Sequence, residues 1–189
     1  MRRSPLLLVL QSIIERSYGM PRIIQNPGSF LIGDRGYRFF YAGAGVFEGK
    51  DGGRARLLVR PDAATLRAAL YYPDALVYHL ERHDPRHGLG DENIDAFADL
   101  VEELDHLLVL ASRAAAGRPV TVIELELHAA VTKYLLVVHF LGLLTGRRRL
   151  SEFHRIWVRH HVFEKYADGD GEESSRYREA ARQIGRAHV

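Results

Sequence analysis

The stretch TVIELELHAAVTKYLLVVHFLGLLT, residues 121–145, decides how the chain is read. At 100° per residue its apolar side chains fall almost all round, with Leu127, Tyr134, Val138 and Leu141 on one side and Leu125, Leu136, Phe140 and Leu143 opposite. A helix apolar all round is normally buried, so this segment is expected to be the central helix of a bundle. Its polar residues then cost free energy unless they are paired. Glu124, His128, Thr132 and His139 share one stripe, and Glu126 and Lys133 share a second. Thr121 and Glu124 have the spacing of a capping box, which gives Glu124 a structural role. The functional alternative makes Glu124 and His128, one turn apart, an acid/base pair or metal ligands, and these are the candidate catalytic residues. His139 lies three turns beyond His128, roughly 16 Å away, too far to share an ion with it.

Upstream, residues 91–116 read as an amphipathic helix with Phe97, Leu100, Val101, Leu104, Leu107, Leu108 and Ala111 on one face. Asp99, Glu103 and His106 fall on the opposite face, which is expected to be solvated. Asp62 caps an expected helix over 63–72, and Pro73-Asp74 restarts one that runs to about residue 83. His79, His83 and His87 repeat at four-residue spacing around the end of that helix, a candidate zinc set if the loop after Pro85 returns the third imidazole.

The N-terminal part has a different period. Residues 5–18 read as a helix closed by Gly19. Residues 29–32, 37–42, 45–48 and 54–59 are short β-type runs, with turns at 33–36 and 50–53, and together predict an antiparallel meander. Downstream, 151–166 fits a helix, although the alternation of Ile156, Val158, His160 and Val162 also fits a strand. His154, His161 and Glu164 in this segment are further candidate metal ligands. A polar linker at 168–173 precedes a short surface helix at 174–186. The expected fold is therefore α+β and mainly helical: a short N-terminal antiparallel β-meander packed on a bundle of about five helices around a buried central helix. The chain is expected to be one domain over 1–189, with helix and meander in 1–60, the bundle in 61–167, and linker plus surface helix in 168–189.

Composition narrows the chemistry. The 189 residues are 47% hydrophobic and 26% charged, the mix of an ordinary globular protein. At this length a chain hides roughly 70% of its extended surface and needs no disulfide or structural metal to stay folded. The absence of cysteine removes disulfides, thiolate-held zinc, iron–sulfur clusters and thiol nucleophiles. Arg2 and Arg3 precede the apolar run Leu6 to Leu10, but that run is short for a secretory signal and no small-residue cleavage site follows Glu15 and Arg16. Residues 120–144 carry Glu124, Glu126, His128, Lys133 and His139, too many ionisable groups for a lipid-facing span. A cytoplasmic protein with no membrane partner is expected.

The net charge of +2 conceals segregation: residues 1–60 hold ten Lys/Arg against four Asp/Glu, and residues 81–106 hold two against nine. Segregated charge can steer a protein partner or a second copy of the chain. It is equally met by an acidic helix face packed beside a basic hairpin within one fold. Nucleic acid is disfavoured as a partner, because the net charge is small and the acidic helices oppose the basic run at 147–149. The primary expectation is an interaction or regulatory module. The alternative is a metal-dependent enzyme, of hydrolase type, using a divalent metal held by the His and Glu groups above; a nucleic-acid-binding protein is the second alternative.

Overall fold

A computed structural model of the chain describes residues 5–41, 54–62, 65–147 and 149–165. Its axis is a pair of long helices, α4 (Ile94–Ala115) and α5 (Val122–Thr145), packed against each other along most of their length. α5 starts in the expected capping box: the Glu124 N–H donates to the Thr121 hydroxyl, and the Glu124 carboxylate accepts from the Thr121 N–H at 2.8 Å. It stops at Gly146, whose φ of 64° is left-handed. Phe97 of α4 and Phe140 of α5 meet with ring centroids 5.0 Å apart. α1 (Pro5–Tyr18) buries Leu7, Leu10 and Ile14 against this pair. Fully burying one such side chain contributes roughly 1.5–3 kcal/mol before chain entropy is counted.

By length and composition α5 could cross a membrane. Here Leu136, Val137, Phe140 and Leu141 belong to the hydrophobic core. Lys133 is buried and ion-paired.

The sheet corrects the expected meander. β1 (Leu31–Ile32), β2 (Arg56–Asp62) and β3 (Thr65–Tyr71) lie in the order β1-β3-β2, with β1 parallel and β2 antiparallel to β3. A helix capped by Asp62 is expected over 63–72, and the described residues 65–71 of that range do not form it. They form the central strand instead, because ladders on both sides and burial on both faces outweigh intrinsic propensity. Leu70 and Tyr72 face the main core, while Ala69 and Tyr71 join Leu58 in a second apolar cluster.

That second cluster explains the next difference. The segment around 37–42 is not a strand, and 33–36 is not a hairpin turn: α2 (Asp34–Tyr41) begins there and lays Tyr37 and Phe40 on the outer face of the sheet. Gly33 sits at a close approach, since a Cβ on it would lie 1.9 Å from Asp74 Oδ1 at the start of α3 (Asp74–Arg82). The choice left open over 151–166 resolves as helix. α6 (Glu152–Arg159) is capped by the Ser151 hydroxyl and continues into a π-helical turn over His160–Glu164. The expectations for 45–48, 50–53, 168–173 and 174–186 lie outside the described residues. The class stands as α+β, mainly helical, with a small mixed sheet in place of an antiparallel N-terminal one.

Candidate metal centre

α4 is buried almost all round between Ile94 and Val109, so the flank expected to be solvated is covered. β2 closes over it: the Leu57 N–H donates to Glu103 Oε2 at 2.5 Å. α5 supplies Glu126 and Lys133 from its second polar stripe. The result is a cavity of about 470 Å³ whose wall includes Arg54, Asp99, Glu102, Glu103, His106, Glu126 and Lys133.

Within it, Glu102 and His106 stand one turn apart on α4, and Glu126 reaches in from α5. One ligand atom from each lies within 4.8 Å of the other two. Ligands about 2.1 Å from a tetrahedral ion are about 3.4 Å apart, so a modest contraction of these side chains would complete three sides of a coordination shell. Glu102 and His106 are 12% and 10% exposed, so the ligands are largely withdrawn from water. Nε2 of His106 is buried with no hydrogen-bond partner. A buried orphaned nitrogen costs roughly 1–3 kcal/mol, and a cation is one way of meeting it.

The electrostatics favour a positive occupant. Burial alone would push the His106 imidazole down. The Glu103 carboxylate, 3.6 Å from Nδ1, outweighs that with the charges of Glu102 and Glu126, and the ring is held above its ordinary range. Burial raises the Asp99 carboxyl to about 6; the charge of Glu102 adds to this, and Lys133 and Arg54 oppose it. The two shifts differ in cause: burial leads at Asp99, whereas neighbouring carboxylates hold the His106 proton, and the lining sets Asp99, Glu102, Glu103 and Glu126 against Arg54, Arg56 and Lys133.

A second polar network lies on another flank of the same helix pair. Asp105 is wholly buried and takes Nδ1 of His128 at 2.8 Å on Oδ2 and the Thr132 hydroxyl at 2.8 Å on Oδ1. The Tyr18 hydroxyl lies 2.9 Å from Thr132 Oγ1, and its ring packs on His128 with centroids 4.0 Å apart. His128 is therefore paired with Asp105 on α4 and not with Glu124, which is exposed, engaged in the cap and 3.5 Å from Arg113. The proposed Glu124–His128 pair is not formed.

The histidine sets picked out by spacing also separate. His79 gives Nε2 to the Glu92 carbonyl at 2.6 Å and packs on His83, while the loop carrying His87 is tied by Asp84 and Arg86 and by the Asn93 amide to the His83 and Gly88 carbonyls. His154 bonds Ser151 at 2.8 Å, His161 lies between Asp91 at 3.3 Å and Asp95 at 3.8 Å, and Glu164 pairs with Arg159 at 2.8 Å. Among the described residues, Glu102, His106 and Glu126 are the one set of three such groups brought together. Spacing pointed past them because two lie on one helix and the third on its neighbour. The available signal was Lys133, a cation on a largely apolar helix, which needs a carboxylate opposite if it is buried. No protein-family model, no curated protein and no solved structure matches this chain.

Proposed function

We propose that this is a divalent-metal-binding protein whose ion is held by Glu102, His106 and Glu126. The observation that carries the reading is the His106 imidazole, nine-tenths buried, with Nε2 unpartnered beside two carboxylates from different helices. One imidazole and two carboxylates suit zinc or manganese better than magnesium or calcium, which favour all-oxygen shells. Three protein ligands in an open cavity leave a position for water. The chemistry such a centre supports is hydrolysis by metal-activated water, with Asp99 a further carboxyl on the wall of the same cavity.

The interaction reading rests on segregated charge, and part of that charge is met inside the chain. Arg54 acts electrostatically on Asp99, and Glu103 is bonded to the β2 backbone, so acidic α4 meets the basic N-terminal part inside one chain. Metal analysis after dialysis against zinc or manganese tests the proposal. About one ion per chain is expected for the wild type, and loss of that ion in His106→Ala and in Glu126→Gln. A metal-free wild type, or a His106→Ala variant that keeps its ion, would overturn the assignment and return the interaction role to first place.

A further inference from the structure

The Asp105–His128 pair makes a second chemical centre, independent of the metal reading. The wholly buried Asp105 side chain meets two donors, with His128 Nδ1 on Oδ2 and the Thr132 hydroxyl on Oδ1. The Nδ1 proton is thereby fixed on the carboxylate side, and the lone pair of the neutral ring is placed on Nε2. Nε2 makes no hydrogen bond among the described residues and is absent from their buried orphaned atoms, while the side chain is 25% exposed. The nitrogen is therefore not closed off from solvent. Tyr18 stacks against the ring and Thr132 anchors the carboxylate, so the orientation is held from two further sides. A carboxylate on Nδ1 raises the electron density at Nε2 and meets the positive charge that develops on the ring when Nε2 attacks.

We propose that Nε2 of His128 is a nucleophile toward activated acyl compounds, held in its reactive tautomer by Asp105. In the step, Nε2 forms a bond to the acyl carbon, the bond from that carbon to the leaving oxygen breaks, and the oxygen departs with the electron pair. Water then adds to the acyl carbon, the C–N bond breaks, and the acid is released with the imidazole restored. The net change is an activated ester plus water to an acid plus an alcohol. Thr132 and Asp105 are positioning residues here.

The test is limited reaction with diethyl pyrocarbonate at a pH where the imidazoles are neutral, with each histidine followed by mass spectrometry. His139 is the internal control: it is exposed on the same helix and has no carboxylate on its ring among the described residues. His128 is expected to react several-fold faster than His139 despite being less exposed. Tyr18→Phe should keep that advantage and Asp105→Asn should lose it, as when an imidazole takes the wrong tautomer. Nitrogen-15 shifts of the wild-type ring supply a reading that needs no variant: the proton should sit on Nδ1. A His128 that reacts no faster than His139, or a proton on Nε2, overturns the proposal. Neither result depends on whether the carboxylate cavity binds metal.

Discussion

Lys133 of α5 and Glu102 of α4 form an ion pair across the helix seam, with side chains only 4% and 12% exposed, on the wall of the cavity that holds His106. Two charges so far from water are tolerated only because each answers the other. The pair also explains how a lysine can be buried on α5.

Removing one partner should therefore cost far more than removing both. Lys133→Met is expected to lower stability by about 3–5 kcal/mol, because Glu102 is left among other carboxylates. Adding Glu102→Gln to that variant should recover a large part of the loss. Urea melts of the two single variants and the double variant measure the coupling. Simple additivity would show that the ion pair carries no stabilising interaction.

Through Asp99, the metal-free protein should lose stability as pH rises, the direction expected of a carboxyl raised by burial and opposite to that of an ion-paired carboxylate. Asp99, raised to about 6, holds a proton in the folded state that the unfolded chain gives up near its ordinary 3.8. Between these values the folded state binds more protons, so stability falls with increasing pH, by an amount on the order of 3 kcal/mol. His106 acts in the same sense at higher pH: its stabilisation is full below the ordinary 6.5 and disappears as pH passes its raised folded value. The difference between wild type and Asp99→Asn across pH 4 to 6 isolates the first effect. Parallel stability curves would contradict it.

The Asp105 network should be weakened most at its middle. Thr132→Val removes the hydroxyl that donates to Asp105 and meets Tyr18, and is expected to cost about 1–3 kcal/mol. Tyr18→Phe should cost less, because Thr132 and His128 still satisfy the carboxylate. Reversal of that order in thermal melts would mean that Tyr18, and not Thr132, anchors the network.

The frame of the molecule was legible because its signals are local. Thr121, Glu124 and Gly146 mark the ends of α5, and the apolar stripe from Phe97 to Ala111 marks α4. Residues 65–71 were not legible, since Ala, Leu and Arg favour a helix until β1 and β2 are present to pair with the strand. The aromatic run from Tyr37 to Tyr41 looked like a strand for the complementary reason: aromatic rings suit a sheet, and those of Tyr37 and Phe40 lie on one without belonging to it. The buried polar flank was half visible. Periodicity separates the Asp99–Glu103–His106 face from the apolar stripe, but not whether β2 and the start of α5 cover it. The need of Lys133 and His128 for partners was readable; Glu102 and Asp105 as those partners were not, because each lies on another helix about thirty residues away or fewer.

Metal should stabilise the fold by mass action. At a free ion concentration a hundred times the dissociation constant, binding adds about 2.7 kcal/mol, so the melting temperature should rise with zinc and fall back on chelation. His106→Ala should abolish the rise. A rise of equal size in that variant would place the ion at other histidines.

The central claim is that an ion is held by His106 between Glu102 and Glu126, and the ring nitrogens of His106 report it most directly. In a zinc titration of nitrogen-15-labelled protein, one His106 nitrogen resonance should move to a metal-bound position, complete at one equivalent, with protons released. If zinc binds while the His106 resonances stay in place, or binds only where His79, His83 or His154 respond, the account is contradicted.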